Sequence, residues 1–265
     1  MEGRSAGLSA TAAEWSRRVA RHARPIIDLL LPRVCAVCDR LLDALEQEAE
    51  RMICGHCWAR LPKLAAPSCD RCGHPTYGLK CRWCALLPPY VRAARSACWA
   101  AGPVGLGAVH ALKYAGWRRV ADELAERMAR LSWPRDVVDE RCALVPVPLS
   151  DKRRRDRGYN QSELLARALA SRWSIPVWTN VLTRVRHTET QTRLTPGDRL
   201  RNVSGAFAAP RMARDALRGA HLVVVDDVVT TAATLNACAA ALCDGGARIV
   251  SFVTFARAPA LGDRW

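Results

Sequence analysis

Two adjacent carboxylates, Asp226 and Asp227, follow a run of four apolar residues, Leu222 to Val225. Such a run is typical of a buried parallel strand, so we expect the acids where that strand ends. Residues 230 to 234, here called the phosphate turn, lead into an alanine-rich stretch that favours a helix. A strand, turn and helix of this kind presents backbone N–H groups and a helix dipole at the carboxyl edge of a sheet. That arrangement predicts a phosphate site.

Adjacent carboxylates repel each other, by roughly 4 kcal/mol at about 4 Å and an effective dielectric of about 20. A sugar diol beside a metal-bound pyrophosphate would relieve this repulsion, because hydroxyl donors and a cation would face the acids. The alternative interpretation is that one acid caps a helix and the threonines fill a turn.

Cysteines form a second pattern, since eight of the 12 lie in four C-x-x-C pairs within about 50 residues. They are Cys35, Cys38, Cys54, Cys57, Cys69, Cys72, Cys81 and Cys84. Each pair can present two thiolates, and two pairs complete a tetrahedral zinc site. Gaps of 15 residues after the first pair and 8 after the third favour sequential pairing, with an interleaved arrangement as the alternative. A redox dithiol is less favoured, because the pairs lack a surrounding βαβ pattern.

A second strand, loop and helix is predicted between residues 142 and 169. An apolar strand, Leu144 to Val147, precedes a loop, and a helix begins near Ser162. The loop has five basic residues in the six positions from Lys152 to Arg157. At a strand's carboxyl end these charges favour a polyanion, although a solvated charge run is the alternative.

The remaining segments predict the organisation of the chain. Residues 1 to 24 are expected to form an arm, and Pro88 with Pro89 is expected to be a hinge. A strand is expected over residues 97 to 104. The polar stretch from Arg184 to Phe207 predicts a long loop that closes over a bound diphosphate and excludes water.

Composition limits the class of protein. The chain has 265 residues, half of them hydrophobic, and a net charge of +15 carried almost wholly by arginine. This predicts a globular protein with phosphate-rich partners such as nucleotides or nucleic acid. Apolar runs long enough to span a bilayer and a signal-peptide core are both absent from the sequence, so a cytoplasmic location is expected.

Taken together and in order, these patterns resemble the ComF competence protein family. The four cysteine pairs are followed by LKYAG (112–116), VPVPLSDKRRRDRGYNQSELLARAL (145–169), T-x-x-Q (188–191), RNVSGAF (201–207) and VVVDDVVTTAAT (223–234). The resemblance implies a double zinc ribbon over residues 25–88 and a type I phosphoribosyltransferase domain over residues 89–265. The expected fold is α/β, with an open, mainly parallel sheet, flanking helices and two structural Zn²⁺ ions. A link to uptake of transforming DNA is also implied, with DNA-uptake proteins as candidate partners.

The resemblance also implies residue roles toward phosphoribosyl diphosphate (PRPP) and Mg²⁺. Asp226 and Asp227 would hold the ribose hydroxyls, and the phosphate turn would hold the 5′-phosphate through Thr230, Thr231, Ala232, Ala233 and Thr234. The pyrophosphate would lie on the loop formed by Ser150, Asp151, Lys152 and Arg153. An enzyme of this class displaces pyrophosphate from the anomeric carbon. The alternative is a module that binds nucleotides or single-stranded DNA without turnover.

One position departs from the family pattern. Glycine is usual where this chain has Ala232, and if that residue needs a positive φ, alanine costs on the order of 1 kcal/mol. The departure favours binding over turnover.

Overall fold

The computed structural model describes residues 32–76, 81–114, 119–186, 205–260 and 263. Its helices of four or more residues are α1 (Ala44–Glu48), α2 (Gly55–Ala59), the 3₁₀ helix Arg82–Leu86, α3 (Gly102–Tyr114), α4 (Val120–Ala129), α5 (Arg135–Glu140), α6 (Asp151–Arg157), α7 (Gln161–Trp173), α8 (Arg214–Leu217) and α9 (Ala233–Asp244). Its strands are β1 (Val91–Trp99), β2 (Arg141–Pro146), β3 (Thr183–Arg184), β4 (Phe207–Ala208), β5 (His221–Val229) and β6 (Ile249–Arg257).

The central sheet has four strands in the order β1-β6-β5-β2, and every neighbouring pair is parallel. Alternate residues along β5 therefore face opposite sides, with Val223 and Val225 in one hydrophobic core and Leu222 and Val224 in the other. Helices α3, α4 and α7 contribute to the first core, and α9 contributes to the second. This confirms the predicted α/β class with a parallel sheet and flanking helices.

Strand β5 is longer than the sequence pattern predicted. The acids do not follow its end, because ladder pairing with β6 continues from Asp226↔Thr254 to Val229↔Arg257. Two valines after the acids extend the strand, since β-branched side chains pack well on a pleated surface. The expected strand over residues 97–104 is also displaced: β1 ends at Trp99 and a helix begins at Gly102.

The basic stretch predicted as a loop is the helix α6. Ser150 caps it, because its Oγ accepts a hydrogen bond from the Arg153 backbone N–H at 3.4 Å. An acid, Asp151, lies in the first turn and three arginines lie in the last, which suits the helix dipole. Gly158 ends the helix with φ 70°.

Both zinc-ribbon segments share the cores of the sheet domain. Residues of the first ribbon, including Ile53 and Trp58, pack in the core formed with α4 and α7. The second ribbon contributes Cys72, Trp83 and Leu87 to the core formed with α9. Each face of the sheet therefore has its own zinc ribbon.

The segment around Pro88, expected to be a hinge, is held in place by one arginine. Arg71 donates hydrogen bonds to the backbone carbonyls of Leu87 at 3.1 Å, Pro88 at 2.6 Å and Val91 at 3.2 Å. A guanidinium with three bonds of this kind favours one path of the chain here. The hinge stays a prediction.

Several predicted segments lie outside the described residues, namely the arm at residues 1–24 and most of the loop at 184–207. The described ends of that loop pair as antiparallel strands, with Arg184 opposite Phe207. Within the described ranges, none of the helices is both long and apolar enough to cross a bilayer.

A buried histidine lies at the start of β5, away from the acids. His221 Nε2 is 2.9 Å from Ser251 Oγ, and its Nδ1 is 3.5 Å from a Glu140 carboxylate oxygen. Burial lowers the pKa of His221 below its usual 6.5, although Glu140 offsets part of the shift.

This histidine makes stability depend on pH. A lowered pKa means that the unfolded state binds more protons below about pH 6.5, so the free energy of unfolding should fall as pH drops through that value. Urea denaturation of wild type and His221→Gln between about pH 5 and 8 measures the effect. The variant should have a shallower slope below about pH 6.5. Equal slopes in the two proteins would contradict the prediction.

Candidate functional site

A cleft of about 610 Å³ opens at the carboxyl edge of the sheet. The residues that line it come from the ends of β2 and β5, the phosphate turn, and helices α3, α6 and α7. Those with polar side chains are Lys113, Tyr114, Arg153, Asp156, Arg157, Gln161, Ser162, Arg184, Asp226, Asp227, Thr230 and Thr234. Elements far apart in sequence therefore meet at the acid pair.

The acid pair has a defined set of partners. Asp226 Oδ1 accepts hydrogen bonds from Ser162 Oγ at 2.8 Å and from the Asp227 backbone N–H at 2.9 Å. The Asp227 side chain is almost fully buried, and its Oδ2 lies 2.8 Å from Lys113 Nζ as an ion pair without an aligned hydrogen bond. One cation thus offsets part of the charge on two carboxylates.

Burial and the neighbouring Asp227 carboxylate raise the pKa of Asp226 to about 7, against the opposing effects of Ser162 and Lys113. Near neutral pH, Asp226 therefore takes up a proton readily. A ligand that donates hydrogen bonds to the pair would favour the ionised form and release that proton.

Ala232 in the phosphate turn has φ 59° and ψ 4°, which is the left-handed conformation. The position therefore meets the condition under which the family's usual glycine would be favoured. Helix α9 begins directly after it without a side-chain cap. Thr231 Oγ1 is buried and has no hydrogen-bond partner among the described residues. Backbone N–H groups at a helix N-terminus and a buried hydroxyl are donors that suit phosphate oxygens.

The basic wall of the cleft differs from the prediction in its members. Of the four residues assigned to the pyrophosphate, only Arg153 lines the cleft. Ser150 is buried as the helix cap, while Asp151 and Lys152 are exposed on α6. Arg184, at the start of the long loop, lines the cleft instead.

Sequence reasoning missed two further residues of the site. Ser162 had a usable signal, because it begins a helix that follows a strand ending at the same sheet edge. Arg184 had a weaker signal, because it begins the stretch predicted to close over a diphosphate but no individual role was assigned to it; in the structure it lies on β3, which pairs with β4, and lines the cleft.

One wall of the cleft is apolar and aromatic. Leu106, Val109 and Leu149 line it together with Tyr114. The Tyr114 residue is 63% exposed. The Arg157 guanidinium lies 4.9 Å from the Tyr114 ring centroid and donates a hydrogen bond to the phenol oxygen at 3.3 Å. The wall therefore offers a flat surface beside positive charge.

The eight cysteines form two four-sulfur clusters. Cys35, Cys38, Cys54 and Cys57 make one cluster, and Cys69, Cys72, Cys81 and Cys84 make the other. This confirms sequential pairing and excludes the interleaved alternative. In the first cluster two sulfur pairs are 3.7 and 3.9 Å apart, close to the roughly 3.8 Å edge of a tetrahedral zinc–thiolate site. In the second cluster the corresponding pairs are 3.3 Å apart. Both are zinc-binding sites.

Two known families match parts of the chain. Residues 26–86 match the double zinc ribbon domain, and residues 159–265 match the phosphoribosyl transferase domain. The class of protein is thus a double zinc ribbon joined to a phosphoribosyltransferase-type domain.

Individual relatives define the family. The DNA utilization protein YhgH of Salmonella typhimurium is 35% identical over 231 residues, which cover 84% of this chain and 96% of that protein. Competence protein F of Haemophilus influenzae is 43% identical over 95 residues, which cover 36% and 41% of the two chains. Competence protein ComFC of Bacillus subtilis is 25% identical over 240 residues, covering 84% and 95%. The chain belongs to this ComF and YhgH family.

The strained residue in the phosphate turn gives a stability prediction. Ala232→Gly should raise the free energy of unfolding by about 0.5 to 1 kcal/mol, because glycine adopts positive φ without the steric cost of a Cβ. The matched control is Ala233→Gly, one residue further into helix α9, which should lower it by about 1 kcal/mol. Denaturant unfolding of the three proteins tests this. A lower free energy of unfolding in Ala232→Gly than in wild type would contradict backbone strain at residue 232.

Proposed function

We propose that the cleft binds PRPP, or a related ribose 5-phosphate compound, together with Mg²⁺. The observation that carries the proposal is the meeting of a buried acid pair and an uncapped helix N-terminus in one cleft that is also lined by arginines. Acids alone would bind a cation and arginines alone an anion. A ribose carrying phosphates at both ends needs both kinds of group.

The residues divide this ligand into three parts. Asp226 and Asp227 accept hydrogen bonds from the ribose hydroxyls, and the phosphate turn donates backbone N–H groups and the Thr231 hydroxyl to the 5′-phosphate. Arg153 and Arg184 face the diphosphate. Mg²⁺ bound with the diphosphate supplies further neutralisation of its charge.

Such binding prepares the sugar for displacement of its diphosphate. The two arginines would stabilise the charge that develops on the leaving group, and the apolar wall would exclude water from the reacting carbon. Release of pyrophosphate from PRPP, assayed with a panel of bases and amines, tests whether the bound ligand reacts.

We also propose that ligand binding serves the handling of DNA, in the cytoplasm. The relatives named for DNA utilization and competence support the first point. The eight zinc-ligating thiols support the second, because they need a reducing compartment. DNA-uptake proteins are the proposed partners.

Calorimetry with PRPP and Mg²⁺ tests the acid pair. Asp226→Asn and Asp227→Asn should each weaken binding by about 10- to 100-fold, because each removes a charged acceptor of hydrogen bonds. The control is Asp215→Asn on the exposed helix α8, which should bind like wild type. Unchanged affinity in both acid-pair variants would overturn the assignment.

The raised pKa of Asp226 adds a pH dependence to binding. Below about pH 7 the carboxyl must lose a proton when the ligand binds, so affinity should rise with pH up to about 7 and then level off. The ligand's own phosphates also titrate, and Asp226→Asn provides the baseline for them. An equal rise in that variant and in wild type would show that Asp226 does not take part.

A second candidate function, binding of single-stranded DNA, is favoured by the surface beside the cleft. Helix α6 exposes Arg154 and Arg155, and the Tyr114 ring lies next to it with Arg157 stacked on its face. Basic and aromatic residues together bind phosphates and stack bases.

Fluorescence anisotropy with a short thymidine oligonucleotide separates the two functions. Arg154→Gln with Arg155→Gln should weaken DNA binding and reduce the slope of log affinity against log salt by about 1.4, the value for two phosphate contacts on a single strand. Both residues lie outside the cleft lining, so PRPP binding should not change. The control is Arg135→Gln, at the first residue of helix α5, which does not line the cleft. A salt response unchanged by the double variant would exclude α6 as a DNA contact.

A further inference from the structure

The second zinc ribbon lies directly behind the phosphate turn. Trp83 and Leu87, beside its last cysteines, line one small internal space together with Val229, Ala232 and Leu235. All five side chains are buried. The back of the turn is therefore packed against the ribbon, while its front faces the cleft.

Two hydrogen bonds connect the ribbon to the elements on either side of the turn. Asn236, in the first turns of α9, donates from Nδ2 to the Leu86 carbonyl at 2.7 Å. Arg257, at the end of β6, donates from Nη2 to the Cys72 carbonyl at 2.5 Å. Arg257 is also paired with Val229, the last residue of β5 before the turn.

Arg257 is a fully buried cation, with 0% of its surface exposed. Its guanidinium lies 4.4 Å from the Trp83 ring centroid, and among the described residues its main charged neighbours are cysteines of the second cluster rather than carboxylates. Arg257 bonds the backbone carbonyl of Cys72, one of the four cysteines of the second cluster. A zinc ion held by four thiolates has a net negative charge, so zinc bound at this cluster would supply a counter-charge close to the buried arginine.

The first ribbon has a different place in the fold. Its Trp58 Nε1 donates a hydrogen bond to Glu123 of α4 at 2.9 Å, and three of its four cysteines belong to the core on the opposite face of the sheet. It therefore provides an internal control for the second ribbon.

We propose that zinc bound at the second ribbon positions the phosphate turn, with Arg257 and Asn236 as the positioning residues. Zinc at the first ribbon stabilises the fold without this effect. The consequence for ligand affinity rests on the proposed function, whereas the consequence for the conformation of the turn does not.

One cysteine in each cluster provides the test. Cys84→Ser and Cys38→Ser should each reduce the zinc content of the full-length protein from two ions to one, measured by metal analysis. In Cys84→Ser, hydrogen exchange at residues 230–236 should become about tenfold faster, and the affinity for PRPP with Mg²⁺ should become about tenfold weaker. A tenfold change is expected when the net free energy of about one hydrogen bond is lost. Cys38→Ser should leave both quantities within about twofold of wild type.

A variant that keeps both zinc ions separates positioning from folding. Asn236→Ala removes only the bond to Leu86, and its matched control is Gln47→Ala, which removes an amide-to-carbonyl bond of 2.6 Å within the first ribbon. Faster exchange at residues 230–236 in Asn236→Ala alone, with two zinc ions retained, supports the proposal.

Three results would overturn it: unchanged exchange at the turn in Cys84→Ser, an equal change in Cys38→Ser, or no change in Asn236→Ala. If wild type binds no PRPP, the exchange data still decide. Faster exchange in Cys84→Ser and Asn236→Ala would then support positioning of the turn and overturn only the proposed ligand.

Discussion

Repulsion between Asp226 and Asp227 is the constraint on which the site depends. Both carboxylates lie inside a parallel sheet, where desolvation makes two negative charges costly. The fold offsets part of this cost with groups from two other elements: the Ser162 hydroxyl of α7 and the Lys113 ammonium of α3. The repulsion that remains raises the pKa of Asp226. A ligand with hydroxyl donors therefore meets acceptors that the protein alone leaves incompletely satisfied.

Each zinc ribbon contributes buried residues to the core on one face of the sheet. A four-stranded sheet with few covering helices would leave apolar residues of both faces in contact with water, and each ribbon supplies buried residues to one face. The metal sites thereby replace part of the hydrophobic packing that a larger transferase domain would obtain from further helices.

Much of this arrangement could be predicted from the sequence, because its signals are local. Spacing within the cysteine pairs predicted both clusters, and the apolar run before Asp226 predicted the strand that holds the acids. Predictions failed where local signals compete. The stretch after Ser150 was interpreted as a loop because its charge suggested a polyanion site, yet a cap, an acid in the first turn and Gly158 make it a helix. Arg184 was predicted only as the start of a closing loop, and its individual role could not be assigned because its position depends on a long-range strand pairing.

The bond between Arg257 and Cys72 joins residues 185 positions apart in the sequence. During synthesis the ribbon cysteines leave the ribosome long before β6 exists, so the second ribbon cannot complete its surroundings until translation is nearly finished. Contacts of such sequence separation form late, because a large loop must close first. The four thiols of the second cluster, which are close together in sequence, are therefore available to a metal before Arg257 and β6 surround them.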